Sequence, residues 1–224
     1  ELAKIKYAID LLSKYYTREN GVKAMIKGKD NYTFQELVEK AAEIDYVPVY
    51  EKLRELSLKL NEINQEETQL KTLKDELKPW KTLNYSISDL GKFEQSKVFI
   101  GVVPKKLKDK LDQGLLDLNY TYLETVSEDK DNLYLFALTS KDEAEELNEL
   151  LRDNSFSSLK LTGEQEPEKE IAKIEATLIK LEEETRDIED SIRVISDRLP
   201  DLEVYYEYLM NNKLRLVASE NFLM

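Results

Sequence analysis

The chain has 224 residues, 35% of them charged, and its 46 acidic and 33 basic residues give a net charge of −13. That acidic balance argues against DNA or RNA as a partner, because nucleic-acid binding depends on basic groups that neutralise phosphates. The sequence contains neither cysteine nor histidine. This excludes disulfides, thiol catalysis and histidine-bound metals, and we expect no catalytic residue, no cofactor and no metal site. High charge with only six glycines favours long solvated helices in an elongated molecule.

Residues 1–36 predict a small, mainly helical base lobe. One face of the first predicted helix carries apolar side chains at helical spacing, namely Leu2, Ile5, Ile9, Leu12 and Tyr16. The stretch 17–31 indicates a loop, and its glycine–lysine pair lacks the other residues of a phosphate-binding motif. Thr33 and Glu36 form a capping box that starts the next helix. Because the sequence opens without methionine and ends on apolar residues, we expect a piece of a longer protein with a truncated base lobe.

Two long heptad patterns dominate the sequence, one in an outgoing helix at 37–79 and one in a returning helix at 167–213. The seam residues are Leu53, Leu56, Leu60, Ile63, Leu70 and Leu77 in the first run, and Ile174, Leu178, Leu181, Ile188, Ile192 and Ile195 in the second. Such narrow apolar stripes are typical of coiled coils, and two runs joined by one segment pair most simply as an antiparallel stalk. The alternative is two separate amphipathic helices on a globular core.

Pro79 and Trp80 stand at the end of the first heptad run, and Trp80 is the only tryptophan. A proline disfavours helical geometry in the residue before it, so Pro79 is expected to end the outgoing helix. Pro167 is expected to begin the returning helix, because the first turn tolerates a residue without an N–H. Trp80 would then fill the joint between stalk and head, which gives it a geometric role and not a chemical one.

Residues 80–166 predict a small lobe at the tip of this stalk. The predicted order is strand, helix, strand, strand, helix, strand, with strands at 97–103, 119–126, 133–139 and 157–161. Ser140 and Glu143 form a capping box before the second helix. The first and third strands are continuously apolar and the other two alternate, as expected for the central and edge strands of a ferredoxin-like sheet. The predicted fold is therefore α+β, with a two-helix coiled-coil stalk that carries a ferredoxin-like (βαββαβ) lobe.

Two charged segments of this lobe have simple interpretations. The acidic stretch 127–132 predicts a solvated hairpin turn, because it lacks the glycine and the distal glutamate of a calcium loop. A basic run lies on the first helix of the lobe and consists of Lys105, Lys106, Lys108 and Lys110. It is either a solvated face or a contact surface for an acidic partner.

Pro48 and Pro200 lie at nearly equal distances along the chain from the tip of the predicted stalk. Inside a helix each proline would leave the carbonyl four residues earlier, at Ile44 or Ser196, without its hydrogen bond and would bend the helix. We therefore predict a bend of the whole stalk at this level, cushioned by Tyr46, Tyr50, Tyr205 and Tyr206. In the alternative interpretation, Pro200 simply begins a new helix and the coincidence has no meaning.

Three segments in this order carry a resemblance to a known family. They are "LKPWKTL" after the first long helix, "VFIGVVP" in the first strand of the lobe, and "LRLVASENFLM" after the second long helix. The chain resembles, over its whole length, the cytoplasmic N-terminal part of the stator subunit of rotary V-type ATPases. That subunit is called subunit I in bacteria and archaea and subunit a in eukaryotes. The pair Pro79–Trp80 and the segment 101–104 are the most specific points of the resemblance.

The resemblance implies a non-catalytic strut on the cytoplasmic side of a membrane complex. Residues 214–224 would then begin the return of the chain to the base lobe. The implied partners are the peripheral-stalk heterodimers of subunits E and G at both ends, the central-stalk socket subunit, the subunit's own membrane domain and the rotor ring. No small-molecule substrate is implied. The resemblance leaves the ion, proton or sodium, undetermined.

Two other classes of function remain open from the sequence. A head on an antiparallel coiled coil also occurs in the arms of chromosome-organising and filamentous scaffold proteins. A ferredoxin-like lobe could instead bind a small regulatory ligand, which would raise the melting temperature of the protein. The rest of the parent sequence discriminates between them: several membrane helices favour the stator, and a nucleotide-binding domain favours the scaffold.

Overall fold

The computed structural model describes residues 1–17 and 32–222, with side chains described up to residue 219. The predicted glycine–lysine loop segment at 18–31 lies outside the described residues. The chain forms a mixed helical and sheet structure that divides into two compact units. Unit 1 comprises Glu1–Gln65 and Leu181–Met224, and unit 2 comprises Glu66–Lys180.

The helices and strands follow one another without long insertions in the described part of the chain. The helices are α1 (Leu2–Leu12), α2 (Phe34–Ala42), α3 (Val47–Leu77), α4 (Lys108–Leu115), α5 (Ala144–Asp153), α6 (Pro167–Ile195) and α7 (Leu199–Phe222). The strands are β1 (Ser96–Pro104), β2 (Thr121–Glu128), β3 (Asn132–Ser140) and β4 (Ser157–Ser158). No helix within the described ranges combines the length and the apolar character that a bilayer crossing requires.

The capping box predicted at the start of α2 is confirmed. The Thr33 hydroxyl accepts a hydrogen bond from the Glu36 N–H, and the Glu36 carboxylate accepts one from the Thr33 N–H at 2.7 Å. The Thr33 hydroxyl also donates to this carboxylate at 2.8 Å, and the two hydrogen bonds from the Thr33 N–H and hydroxyl lower the pKa of the Glu36 carboxyl. The helix that follows does not continue to residue 79 as predicted, because α2 ends at Ala42 and α3 begins at Val47. The Asp45 carboxylate accepts from the Val47 N–H at 3.1 Å, so α3 has its own N-terminal cap.

Unit 1 is held by an apolar cluster contributed by several helices. Its buried members are Ile5, Ala8, Leu12, Tyr46, Leu53, Leu56, Ile192, Leu199 and Leu202. The first predicted helix is confirmed as α1, and it buries Ile5 and Leu12 from the predicted apolar face together with Ala8. The apolar stripe of α1 therefore packs against other helices of the unit, as its 3.6-residue periodicity requires.

Unit 2 contains a four-stranded sheet in the order β2-β3-β1-β4, and every neighbouring pair is antiparallel. β1 and β3 are central and pair along their whole lengths, from Ser96 opposite Ser140 to Pro104 opposite Asn132. This confirms the predicted placement of the two apolar strands. β4 is only two residues long, shorter than the predicted 157–161.

The sheet buries both of its faces. One face packs against α4 and α5 through Val103, Leu111, Leu133, Leu135, Ala137, Leu147 and Leu151. The opposite face packs against the segment after α3 through Trp80, Leu83, Ile100, Val126 and Phe136. Burial on both faces explains why β1 and β3 are continuously apolar. At Gly101, a Cβ atom would lie 2.2 Å from the Ser157 carbonyl oxygen and 2.5 Å from the Phe156 ring, so β4 can approach β1 only at a glycine.

The capping box predicted for Ser140 and Glu143 is only half present. The Ser140 hydroxyl accepts from the Glu143 N–H at 3.3 Å, and α5 begins at Ala144. The Glu143 carboxylate instead accepts from the N–H groups of Asn119 and Tyr120, at 2.8 and 2.9 Å, just before β2. Burial alone would raise the pKa of the Glu143 carboxyl, but these hydrogen bonds and one from the Thr121 hydroxyl outweigh it and lower the pKa.

Candidate functional site

The candidate site is the place in unit 2 where α3 ends and the sheet lobe begins. α3 ends at Leu77, and Lys78–Trp80 form a single 3₁₀ turn with Pro79 at its centre. Trp80 is 1% exposed and packs on the sheet, with its ring edge-on to Tyr134 at 5.7 Å between centroids. Pro79 therefore ends the helix where the sequence predicts, and the only tryptophan of the chain is a core residue.

The segment after Trp80 contacts the same face of the sheet through a hydrogen bond and an aromatic stacking. The Thr82 hydroxyl donates to the Val126 carbonyl at 3.0 Å. The Tyr85 ring stacks on Phe136 with 4.9 Å between centroids. Since Phe136 is fully buried in the central strand β3, these contacts position the segment relative to the middle of the sheet.

The start of α6 is fastened to the lobe by a buried carboxylate. Pro167 is buried at the first position of α6, as predicted. One Glu170 carboxylate oxygen accepts from the N–H groups of Glu164 and Gln165, at 3.0 and 2.9 Å. These two hydrogen bonds lower the pKa of the buried Glu170 carboxyl. Gly163 beside it has φ +146, a conformation that favours glycine.

Backbone hydrogen bonds connect the two ends of the lobe. The Ile87 N–H donates to the Gln165 carbonyl at 3.1 Å, and the Ser88 N–H donates to the Glu164 carbonyl at 3.2 Å. A buried apolar cluster of Leu77, Ile87, Ile171 and Ile174 then brings together the end of α3 and the start of α6. We call the group Leu77, Trp80, Ile87, Pro167 and Glu170 the joint.

Sequence reasoning named Pro79, Trp80 and Pro167 but missed Ile87 and Glu170. The seam pattern places Ile171 and Ile174 on the apolar stripe and leaves Glu170 among ordinary helix-surface glutamates. A glycine seven residues before it was the one available signal, because a positive φ often accompanies a tight turn next to a helix start. Whether the joint serves a function beyond folding remains a prediction.

The predicted seam residues are buried or half-buried in both units. In unit 1, Leu53, Leu56, Ile63, Leu181 and Ile192 are buried, and Leu60, Ile188 and Ile195 are half-buried. In unit 2, Leu77 and Ile174 are buried, and Leu70 and Leu178 are half-buried beside them. Lys74 interrupts the stripe, and its ammonium group lies 3.1 Å from the Glu175 carboxylate. The ion pair shows how the seam accommodates a charge on this helix face.

The predicted bend at Pro48 and Pro200 stays a prediction. Pro48 is the second residue of α3 and Pro200 is the second residue of α7, and both side chains are exposed. Both prolines lie in the first turn of an α-helix, where a residue without an N–H is tolerated. Ile44 lies between α2 and α3, and Ser196 begins a 3₁₀ turn before α7. Residues 167–195, 196–198 and 199–222 are helical without a gap, so a new helix at Pro200 stays the alternative prediction.

The four tyrosines expected around these prolines do share one cluster. Tyr46 belongs to the buried core of unit 1, and Tyr50, Tyr205 and Tyr206 pack against it half-buried. The rings of Tyr46 and Tyr205 lie 5.2 Å apart between centroids. Burial raises the pKa of Tyr46, and the negative charge of Glu1 raises it further. We call these four residues the tyrosine cluster.

The basic run of the lobe is partly occupied by contacts within the chain. The Lys105 ammonium group lies 2.7 Å from the Glu128 carboxylate, and its hydrogen bond lowers the pKa of the Glu128 carboxyl. Lys110 donates to the Asp153 carbonyl at 3.2 Å, whereas the side chains of Lys106 and Lys108 are exposed. A partner contact at this run stays a prediction.

The acidic stretch between β2 and β3 is a hairpin turn, as predicted. The Asp129 carboxylate accepts from the N–H groups of Asp131 and Asn132, at 2.8 and 2.7 Å. These hydrogen bonds lower the pKa of Asp129. Across residues 1–17 and 32–219, the structure shows no group of three side chains suited to hold a metal ion.

Comparison with known proteins finds similarity among solved structures only. No family model matches the chain, and no curated protein matches it. Among solved structures, the chain is similar to the crystal structure of the cytoplasmic N-terminal domain of subunit I, homolog of subunit a, of V-ATPase. The similarity covers 94% of this chain and 69% of that chain, with 11% sequence identity and a TM-score of 0.49. A similarity at this level establishes neither family membership nor function.

Proposed function

We propose that the chain is a non-catalytic strut in the stator of a rotary V-type ATPase. In this proposal it belongs to the cytoplasmic domain of a membrane-anchored subunit I and links peripheral stalks to the membrane domain. Its task would be to resist the torque of the rotor during proton or sodium transport. The proposal includes the finer interpretation of the fold, in which α3 and α6 form an antiparallel coiled coil and residues 80–166 a ferredoxin-like lobe.

The burial of Trp80 at the end of a long helix is the observation that carries the proposal. A strut must transmit force from a helix to a lobe without slippage, and close-packed side chains transmit strain because interiors have few voids. Trp80 is the largest of the fully buried side chains. At the start of α6, the Glu170 carboxylate adds directional hydrogen bonds to the backbone. The same Pro79–Trp80 pair is the most specific point of the sequence resemblance.

The lengths of the two heptad helices also support a mechanical role. α3 has 31 residues and α6 has 29. At a rise of 1.5 Å per residue, such helices extend for about 45 Å. Their exposed faces carry i,i+3 and i,i+4 ion pairs, for example Lys59 with Glu55 at 2.9 Å. Pairs of this kind support a solvated helix and add little to a binding site.

The direct test is binding to the peripheral stalk. The chain would be titrated with the purified heterodimer of subunits E and G encoded in the same genome, at low salt, by calorimetry or biolayer interferometry. We expect a dissociation constant in the range of about 1–100 μM for one contact of a multivalent assembly. Absence of binding at low salt would contradict the proposal.

Two variants separate the role of the joint from general surface effects. Trp80→Ala should weaken stalk binding while far-UV circular dichroism still shows a helical protein, because the angle between helix and lobe is no longer fixed. Trp80→Phe, which keeps part of the packing, should lie between Trp80→Ala and the unchanged chain. Leu116→Ala is the matched control, since Leu116 is 82% exposed and should leave binding unchanged.

A further inference from the structure

β2 is an edge strand of the sheet. Its hydrogen bonds show its backbone phase, meaning which residues direct their N–H and C=O groups toward β3 and which direct them away from the sheet. The Ser140 N–H donates to the Tyr120 carbonyl, so Tyr120 bonds toward β3. Residues along an antiparallel strand alternate between neighbours, so Tyr122 and Glu124 also bond toward β3. The N–H and C=O groups of Thr121, Leu123 and Thr125 therefore point away from the sheet. Tyr122 lies opposite Leu138 and Glu124 lies opposite Phe136 in the register of β2 with β3.

In the described part of the chain, this edge has little of the usual protection against another strand, with Glu124 as its one charged side chain between residues 121 and 125. Edge strands are commonly blunted by lysine, proline, a bulge or a covering segment. The stretch 121–125 contains no lysine and no proline, and the bulge of β2 lies beyond it, between Thr125 and Ser127. On the face of the sheet that carries Trp80, the side chain of Tyr122 is 53% exposed. The described residues of unit 2 place no further strand beside it.

We propose that the edge of β2 pairs with the same edge of a second copy of this chain. The sequence Thr121-Tyr122-Leu123-Glu124-Thr125 is self-complementary when two copies run antiparallel about Leu123. Thr121 then lies opposite the partner's Thr125, and Leu123 lies opposite the partner's Leu123. Tyr122 lies opposite the partner's Glu124. Within one chain the Tyr122 hydroxyl donates to the Glu124 carboxylate of the same strand at 3.0 Å, so the two side-chain types are compatible on this face.

The backbone phase agrees with the side-chain pattern. In a register centred on Leu123, the outward-pointing groups of Thr121, Leu123 and Thr125 face the same groups of the copy and form hydrogen-bonded pairs. Cross-strand threonine pairs and a tyrosine opposite a carboxylate are favourable, and no two glutamates oppose each other. If the register shifted by one residue, the outward-pointing backbone groups of one copy would face residues of the other copy whose groups point inward. These hydrogen bonds would then be lost. The pairing would extend the sheet from four strands to eight.

Self-association through five residues is expected to be weak. The contact is much smaller than the roughly 1,600 Å² of a standard stable interface, so we expect a dissociation constant of about 0.1–1 mM. Each copy carries a net charge of −13, and the two copies repel each other. Salt screens this repulsion over about 8 Å at physiological ionic strength, so association should strengthen between 20 and about 300 mM NaCl.

Sedimentation velocity of the 224-residue chain over a range of concentrations tests the association. Tyr122→Glu would place a carboxylate opposite the partner's Glu124 at each end of the contact. It should weaken dimerisation by about tenfold. Val194→Glu is the matched control, because Val194 is a 74% exposed apolar residue of unit 1, and should leave dimerisation unchanged. A chain that stays monomeric at millimolar concentration overturns the proposal. Equal dimerisation of Tyr122→Glu and the unchanged chain overturns it as well.

Cysteine cross-linking tests the register, since the chain has no native cysteine. Leu123→Cys should form a disulfide-linked dimer under mild oxidation, because the two Cα atoms would lie about 5.5 Å apart. Thr125→Cys should not, because the two copies of that position would lie about 14 Å apart along the strands. The double variant Thr121→Cys with Thr125→Cys should cross-link again. Equal cross-linking of Leu123→Cys and Thr125→Cys would indicate random collision and overturn the proposed register.

Discussion

The joint in unit 2 and the tyrosine cluster in unit 1 both contain aromatic side chains, but they differ in burial and in hydrogen bonding. At the joint, Trp80 is fully buried and the neighbouring Glu170 carboxylate accepts two backbone hydrogen bonds. In the tyrosine cluster only Tyr46 is buried, and three of its four members remain half-buried. Directional bonds and full burial allow a single arrangement, whereas partly exposed rings can rearrange at low cost. The joint should therefore be the rigid region and the tyrosine cluster the tolerant one.

The largest expected effect is at Trp80. Trp80→Ala should lower the free energy of unfolding by about 3–5 kcal/mol, because it removes a buried aromatic side chain and leaves a cavity. Chemical denaturation followed by circular dichroism measures this, since the variant has no tryptophan fluorescence. Tyr50→Ala in the tyrosine cluster should cost clearly less. A larger loss for Tyr50→Ala than for Trp80→Ala would reverse the comparison.

A second prediction concerns the close approach of β4 to β1. Gly101→Ala should lower the free energy of unfolding by about 1–3 kcal/mol, because the new methyl group would collide with the Ser157 carbonyl and the Phe156 ring. Gly91→Ala is the matched control, because a Cβ at Gly91 would meet nothing within 4 Å. Its change should stay within about 0.5 kcal/mol. Equal stability of the two variants would show that the sheet is less tightly packed than the structure indicates.

A third prediction uses the Glu170 carboxylate. Glu170→Leu removes the acceptor of two N–H groups and should cost about 1–3 kcal/mol at pH 7. Glu170→Gln keeps an acceptor oxygen and should cost less, because only the charge is lost.

The pH dependence of this effect has a definite sign. The pKa of Glu170 is lowered in the folded protein, so its ionised carboxylate stabilises the fold above the unfolded-state pKa of about 4.3. That contribution disappears as the pH falls through the folded-state pKa. The stability difference between the unchanged chain and Glu170→Gln should therefore shrink on acidification. Glu184→Gln, on the exposed face of α6, is the control for the loss of one surface charge.

The smallest expected effects are at Pro48 and Pro200. Since both lie in first turns, replacing both with alanine should change unfolding by only about 0.4–1 kcal/mol per site, mainly through the entropy of the unfolded chain. Helical content by circular dichroism and the small-angle scattering profile should both stay unchanged. A changed scattering profile would instead support the predicted bend and show that the region around the tyrosine cluster holds its shape through these prolines.

Several local features followed from the sequence alone. The end of α3 near Pro79, the start of α6 at Pro167 and the capping box of Thr33 with Glu36 depend on backbone chemistry within a few residues. The central position of β1 and β3 followed from their continuous apolar character. The seam residues followed from heptad spacing, because burial of a helix stripe repeats along the helix with little dependence on the partner.

Other features depended on contacts between distant parts of the chain. The sequence predicted one helix through residues 43–46, but the Asp45 carboxylate and Pro48 begin a separate helix there. It assigned Glu143 to a local capping box, although that carboxylate serves N–H groups more than twenty residues away. A carboxylate accepts hydrogen bonds from the unpaired donors that the folded structure brings near it. The spacing of residues along the chain does not predict which donors these are.

The sequence by itself determined most of the helices and strands, which stripes are buried and where Pro79 ends a helix and Pro167 begins one. These properties arise from short-range sterics and from the periodic partition of apolar side chains. Only the tertiary structure decided that Glu170 is buried, that Gly101 faces the backbone of β4 and that β2 lies at the edge of the described sheet. Each of these depends on two segments brought together by folding, and no local pattern encodes which segments will meet.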